Sequence, residues 1–151
     1  MNSAGDSLEK LAQAQRRYGK FKELFREFQQ NLALLHGDRF PLKGIGVDHE
    51  DGEHSNLSFL DRNYCIEFKM VSVDGVLKGS ITFYRLIDDQ TKNLLQRATF
   101  NGQGELDVEP TPEGDPLYVD DDSSCLGLVL EWLKSEIYSL PVIRLERVFW
   151  L

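Results

Sequence analysis

Cysteine, proline and methionine are all scarce in this chain. Its 151 residues include 2 Cys, 5 Pro and 2 Met. Two thiols cannot build the disulfide framework of a small secreted protein, and no run approaches the roughly 18 apolar residues that a membrane-spanning helix needs. The opening sequence also lacks the basic and apolar regions of a secretory signal. These features predict a cytoplasmic protein without a membrane partner.

Aromatic residues, in contrast, are abundant enough to exclude disorder as the main state. The chain has 9 Phe, 5 Tyr and 2 Trp, and its apolar fraction is 41%. A chain of this length buries roughly 70% of the surface that its unfolded form exposes. We find no internal repeat and no linker, so the sequence predicts a single domain over residues 1–151.

Acidic side chains outnumber basic ones, and the excess is uneven. The formal net charge is −8, with a net +2 over residues 1–36 and a net −10 over residues 37–151. A body of this charge repels phosphate backbones, which disfavours nucleic-acid binding. An acidic surface keeps a protein soluble. It also suits a protein partner with a basic face.

The first predicted element is a long helix from about Ser7 to Leu35, with Asp6 as N-cap and Gly37 as a left-handed C-terminal cap. Its apolar residues alternate in steps of three and four, as in a coiled-coil seam: Leu11, Ala14, Tyr18, Phe21, Phe25, Phe28, Leu32 and Leu35. Large aromatic rings fit better over a sheet than between two close helices. Two interpretations stay open: a helix across its own sheet, or a seam that packs partly on a second subunit.

The clearest strand signal lies around Asp74-Gly75, a dipeptide typical of a two-residue hairpin turn. Residues 64–73 and 76–87 alternate apolar and polar side chains on its two sides. The turn fixes the register, so Phe68 should face Ile81 and Glu67 should face Thr82. This hairpin is the expected centre of the sheet.

The remaining segments give weaker patterns. A short edge strand over 40–47 and a polar loop over 48–56 are expected before the hairpin. Residues 92–101 favour a strand over a short helix, and a further strand follows the turn at 101–104. An acidic, proline-containing loop over 105–122 precedes a second helix from about Ser123 to Leu140. The apolar ending, residues 142–151, should close the sheet or pack on another subunit.

No pattern specific enough to name a reaction occurs in the chain. His49 and His54 lie among four carboxylates, but five residues apart they do not share a face of a helix or a strand. We therefore expect a solvated loop without a metal. Cys65 and Cys125 lack a partner at a recognisable spacing, and we expect inert thiols. The glycine pairs at 44–46 and 102–104 lack the rest of a phosphate-binding motif. No cofactor is predicted.

The sequence thus predicts an α+β fold: an antiparallel sheet of about five strands, with a long N-terminal helix and a C-terminal helix packed on one face. It favours a non-enzymatic protein-binding module, an adaptor, chaperone or inhibitor, acting as a monomer or a homodimer. The size, acidity and α+β composition are comparable with those of small secretion chaperones and immunity-type inhibitors, although no motif carries this likeness. The expected contact residues are Tyr18, Phe25, Phe28, Asp120, Asp121, Asp122, Phe149 and Trp150.

The alternative from a different class is a small-ligand-binding protein or an enzyme. Its apolar pocket would lie between helix and sheet. Four aromatic side chains would line that pocket: Phe21, Phe25, Phe68 and Phe83. A cavity reached by converging polar groups would favour this alternative, and a filled core would count against it.

Overall fold

A computed structural model describes residues 3–108 and 114–139 of the chain. Helix α1 spans Ser3–Leu32 and continues into a short 3-10 helix, Ala33–His36. Five strands follow: β1 Gly46–His49, β2 His54–Phe59, β3 Arg62–Val73, β4 Val76–Leu86 and β5 Lys92–Phe100. Helix α2 spans Asp122–Tyr138. The strands form one antiparallel sheet in the order β1-β2-β3-β4-β5. The predicted α+β architecture is confirmed.

The hairpin of β3 and β4 has the register that its turn predicts. Phe68 faces Ile81, Glu67 faces Thr82 and Val73 faces Val76. Asp74 and Gly75 both have positive φ, at 53° and 79°, as a two-residue turn of this type requires. Because side chains alternate along a strand, this register places every large apolar residue of the hairpin's central part on one face.

Both helices pack on that apolar face. From α1, the ring of Phe25 stacks on Phe68 with centroids 5.3 Å apart. From α2, the ring of Trp132 stacks on Phe83 at 5.6 Å. The aromatic part of the predicted seam therefore covers the protein's own sheet, and the first of the two interpretations is right for these residues. We call this side of the sheet the helix face and the other side the polar face.

A hairpin replaces the polar loop predicted over 48–56. Asp48 and His49 belong to β1, and His54 to Asn56 belong to β2. The apolar side chains of this hairpin are Val47, Leu57 and Phe59, and residues 48–56 include none, so this part of the sequence is as polar as a loop. Its link to β3 is a tight turn at Leu60 and Asp61, which both have positive φ, at 51° and 61°. Leucine is rare in that conformation, and the turn gave no sequence signal.

The helix ends also differ from the prediction. Helix α1 already includes Ser3, so Asp6 lies in its first turn instead of capping it. Gly37 is extended, with φ −72° and ψ 152°, and does not form a left-handed cap. In α2 the N-cap is Asp121, whose carboxylate accepts from the backbone N–H of Ser124.

The strand interpretation of residues 92–101 is confirmed by β5, but a register shift beside Phe83 and Tyr84 turns Leu94 to the polar face, where it is 54% exposed. The expected strand after residue 104 is wrong for the described residues, where only isolated bridges occur, such as Phe100 with Leu106. The apolar ending lies outside the described residues.

Candidate functional site: an acidic cleft on the polar face

A cleft of about 740 Å³ opens on the polar face of the sheet. Its lining comes from β1, β2, β3, the end of β4, the β4–β5 connection and the first residue of β5. Five carboxylates and one ammonium group are among the lining side chains: Asp48, Glu50, Glu67, Asp88, Asp89 and Lys92. This arrangement is a concave surface of strongly negative charge, which attracts cations and raises their local concentration.

Glu67 is the buried carboxylate of the cleft. Only 4% of the residue is exposed, although it lies on the polar side of β3. Its Oε2 accepts a hydrogen bond of 2.7 Å from Nζ of Lys92, and Lys69 lies 3.3 Å from its Oε1. Burial alone would raise the pKa of Glu67, but these two ammonium groups outweigh it and lower the pKa below its ordinary value. Glu67 is therefore ionised at neutral pH.

Lys92 belongs to the same arrangement. The hydrogen bond to Glu67 raises the pKa of its ammonium group, despite the opposing effect of partial burial. Its Nζ also lies 4.3 Å from the ring centroid of Tyr84, within the range of a cation–π contact. The side chain is thus held on the sheet surface and neutralises one of the five carboxylates.

His54 links Glu67 to the turn of the first hairpin. Its Nδ1 lies 2.9 Å from Oδ1 of Asp51, and its Nε2 lies 3.6 Å from Oε2 of Glu67. The backbone N–H of Glu53 and the imidazole of His54 both lower the pKa of Asp51. Carboxylates therefore flank this imidazole on two sides.

The β4–β5 connection contributes the other acidic border. Oδ1 of Asp88 accepts hydrogen bonds of 2.8 Å from the backbone N–H groups of Gln90 and Thr91. These bonds lower the pKa of Asp88 and close the connection into a compact turn. The carboxylate of Asp88 is thus hydrogen-bonded within its own turn. Its neighbour Asp89 is an exposed carboxylate of the cleft.

Helix α1 fixes the hairpin that carries the other border. Nε2 of Gln29, a residue only 6% exposed, donates to the carbonyl oxygen of Asp51 at 2.9 Å and to Oγ of Ser55 at 3.0 Å. The hydroxyl of Tyr18 donates to Oε1 of Glu53 at 2.6 Å. This bond raises the pKa of Tyr18 and lowers that of Glu53. The position of β1 therefore depends on contacts from the opposite side of the sheet.

The predicted contact residues of α1 are buried or half-buried in the structure. Phe25 and Phe28 are fully buried in the core, so the folded chain exposes neither ring, and their contact with a partner stays a prediction. Tyr18 is half-buried and bonded to Glu53. N-terminal to Tyr18, Leu11 of the predicted seam is 68% exposed and the neighbouring Leu8 is 71% exposed.

The predicted acidic contacts do lie at the surface, away from the cleft. Asp120, Asp121 and Asp122 are all exposed and none of them lines it. Asp121 caps α2 by accepting from N and Oγ of Ser124 at 2.9 and 2.8 Å. The predicted contacts Phe149 and Trp150 lie outside the described residues.

The predicted pocket between helix and sheet is replaced by packed rings. Phe21, Phe25, Phe68 and Phe83 are each 2% exposed or less, and none of them lines the cleft. Phe21 meets Phe100 edge to face at 5.7 Å, while Phe83 stacks on Tyr64 at 5.0 Å. These four side chains fill the core, and the concave surface lies on the other side of the sheet.

The histidines and thiols do not form a reactive centre in the described structure. His49 lies on the helix face of its hairpin, with Nδ1 2.8 Å from Oγ of Ser55, whereas His54 lies on the polar face. Within the described ranges, no three His, Cys, Asp or Glu side chains are placed to hold a metal ion. Burial raises the pKa of Cys65, and more strongly that of Cys125. Both thiols are therefore poor nucleophiles at neutral pH.

Sequence reasoning missed the cleft entirely. The sequence predicts strands for Glu67 and Lys92, but nothing in their spacing indicates an ion pair across β4. The usable signal was the polar side of the β3–β4 hairpin, where a carboxylate occurs between Cys65 and Lys69. A carboxylate at such an interior position of a strand needs a positively charged partner on the same face of the sheet.

Comparison of the chain with protein-family models, curated proteins and solved structures gives no match. Within the two described ranges, no helix combines the length and the apolarity that crossing a membrane requires. The function has to be argued from the cleft itself.

Proposed function

We propose that the protein works by binding, without catalysis, and that its cleft takes a basic segment of another cytoplasmic protein. The carrying observation is the concave lining, in which five carboxylates face a single ammonium group. A lysine- or arginine-containing segment would neutralise the unpaired carboxylates. This is the role of an adaptor, a chaperone or an inhibitor.

Two further observations support the proposal. Gln29 and Tyr18 of α1 hold the β1–β2 hairpin from the helix face. One acidic border of the cleft is therefore fixed before a partner binds. Such preorganisation reduces the entropy lost on binding. The raised pKa of each thiol also argues against cysteine-based catalysis.

The test uses a labelled, terminally blocked hexalysine peptide, with binding followed by fluorescence anisotropy at low and physiological salt. The cleft variant carries Asp48→Asn, Glu50→Gln and Asp89→Asn, three exposed carboxylates whose side chains do not cap a turn. The control variant carries Asp120→Asn, Asp122→Asn and Glu131→Gln. It loses the same charge outside the cleft and includes two of the acids that the sequence suggested as contacts.

We expect the cleft variant to bind at least about tenfold more weakly than the wild type, which corresponds to about 1.4 kcal/mol. The control variant should change the affinity by less than about threefold, because distant exposed charges are screened. Equal weakening by both variants would show a general effect of net charge and refute the cleft as a site. Spermine binding as tightly as the peptide would refute a protein segment as the ligand and favour a small cation.

A further inference from the structure

Strand β1 is an edge of the sheet with one side free. The backbone N–H of Glu50 donates to the carbonyl oxygen of His54 at 3.0 Å, which continues the pairing of β1 with β2. In an antiparallel pair, successive residues point their N–H and C=O groups alternately toward and away from the partner strand. The backbone groups of Val47 and His49 therefore point away from β2.

This free side of β1 pairs with no other strand in the described parts of the chain. Within residues 3–108 and 114–139, no backbone hydrogen bond from outside the sheet reaches Val47 or His49. The other edge of the sheet is partly covered, because the N–H of Asp107 donates to the carbonyl oxygen of Thr99 on β5 at 2.8 Å. Strand β1 thus offers the more accessible template for an added strand.

The two faces of β1 differ in character. Asp48, and Glu50 just beyond the strand, project on the polar face and line the cleft. Val47 lies on the helix face, half-buried against the core. The 3-10 helix packs beside β1 there and leaves Leu34 47% exposed. A strand added at this edge would meet carboxylates on one face and, on the other, the apolar side chains of Val47 and Leu34 beside the imidazole of His49.

We propose that the segment bound by this protein is an extended strand that pairs antiparallel with β1 and alternates basic and apolar side chains. Its basic side chains lie against Asp48 and Glu50 in the cleft. Its apolar side chains continue the surface of Val47 and Leu34. This inference rests on the proposed function and adds the binding mode to it, since main-chain hydrogen bonds supply affinity and alternate side chains supply specificity.

A second copy of the chain fits this edge poorly. Two β1 strands paired antiparallel would bring Asp48 and Glu50 of one copy against the same carboxylates of the other. Like charges placed opposite each other on neighbouring strands destabilise the pair. Charge complementarity therefore selects a basic partner segment and disfavours self-pairing at this edge.

The test compares three terminally blocked peptides of alternating Lys and Val. One is unmodified, one is N-methylated at every Val, and one is N-methylated at every Lys. In an antiparallel pair, the residues opposite Val47 and His49 are the ones that exchange hydrogen bonds with β1. When the lysines of the peptide lie in the cleft, the peptide residues opposite Val47 and His49 are its valines. We expect methylation at Val to weaken binding at least about tenfold and methylation at Lys to change it little.

A second readout is amide hydrogen exchange of the protein with and without the unmodified peptide. The N–H groups of Val47 and His49 should gain protection, whereas those of Asp48 and Glu50, which point toward β2, should change little. Equal binding of both methylated peptides, together with unchanged exchange at Val47 and His49, would overturn strand addition. If the Asp48→Asn, Glu50→Gln, Asp89→Asn variant still lost affinity in that case, the cleft would stand and only the binding mode would fall.

Discussion

Nζ of Lys92 lies 2.7 Å from Oε2 of Glu67, so the lysine of β5 reaches across β4 to a carboxylate on β3. The two residues are 25 positions apart in the sequence. Glu67 is buried and Lys92 is partly exposed, which makes the lysine the replaceable partner. The pair holds one positive charge inside an otherwise acidic cleft.

Replacing Lys92 by Met should destabilise the protein at neutral pH. It leaves the buried carboxylate of Glu67 with the weaker contacts of Lys69 and His54, and we expect a loss of about 1–2 kcal/mol after allowing for solvent at Lys92. Urea denaturation at pH 7 measures this loss. Lys134→Met, which removes an exposed partner of Glu131, is the matched control and should cost about 0–0.5 kcal/mol. Equal losses in the two variants would contradict the assigned role of Lys92.

The loss of stability in Lys92→Met should also depend on pH, and the pKa of Glu67 determines the direction of that dependence. The pKa of Glu67 is lower in the folded than in the unfolded protein, so its ionisation stabilises the fold above the unfolded value of about 4.3. That contribution disappears as the pH falls through the folded pKa. The difference between wild type and variant should therefore shrink on acidification, whereas a loss of packing alone would not depend on pH.

Gln29 should matter more than Tyr18 for the position of β1, although both bind the first hairpin. Gln29→Ala removes the donor to the carbonyl oxygen of Asp51 and to the buried hydroxyl of Ser55, and we expect a loss of about 1–3 kcal/mol. Tyr18→Phe removes one hydrogen bond to a partly exposed carboxylate and should cost about 0.5–1 kcal/mol. Chemical denaturation gives both values. Hydrogen exchange at the N–H of Glu50, which donates to the carbonyl oxygen of His54 at 3.0 Å, should accelerate in Gln29→Ala, and an unchanged rate there would refute the role of Gln29 in holding this hairpin.

Replacing Gly79 and Gly127 by alanine should change the stability of the protein in opposite directions. A Cβ at Gly79 of β4 would meet the ring of Phe100, so Gly79→Ala should cost about 1–3 kcal/mol. At Gly127 in α2 a Cβ meets nothing within 4 Å, and Gly127→Ala should stabilise the protein by about 0.5–1 kcal/mol. Thermal denaturation of both variants checks the packing of β4 against β5. A neutral Gly79→Ala would show that Phe100 does not pack over this position.

The sequence predicts the parts of this fold that are governed by local rules. Asp74-Gly75 dictates its own turn, and that turn dictates the register of β3 and β4. The β1–β2 hairpin escaped prediction because its support comes from Gln29 on α1, more than twenty residues away. The cleft could not be predicted from the sequence for the same reason. Its charges come from four separate segments, and only the folded sheet brings them to one face.

The assignment of α1 shows where a sequence pattern becomes ambiguous. A period of three and four fits a helix on a sheet as well as a helix on a helix. The structure resolves it residue by residue: Phe21, Phe25 and Phe28 are buried, whereas Leu8 and Leu11 are exposed. The aromatic identity of the buried positions was the informative feature.

The thiols provide a test of the non-catalytic assignment. Burial raises the pKa of both Cys65 and Cys125, and Sγ of Cys125 donates to the carbonyl oxygen of Phe28 at 3.5 Å. We expect neither thiol to react with a disulfide reagent in the native protein at pH 8, and both to react after unfolding in urea. The unfolded sample is the control for reagent and stoichiometry. Fast reaction of native Cys65, the thiol that lines the cleft, would instead indicate an activated nucleophile there.

The interpretation in which the α1 seam packs on a second copy can be tested at Leu11 of the seam and at its exposed neighbour Leu8. Leu8 and Leu11 lie about one turn apart on one side of α1. If the seam joins two copies, Leu8→Ser with Leu11→Ser should convert a dimer to a monomer in sedimentation velocity. Leu94→Ser, at an exposed leucine on the polar face, is the control and should leave the oligomeric state unchanged. A wild-type protein that sediments as a monomer at all concentrations would contradict the second-copy interpretation and leave the cleft as the proposed binding surface.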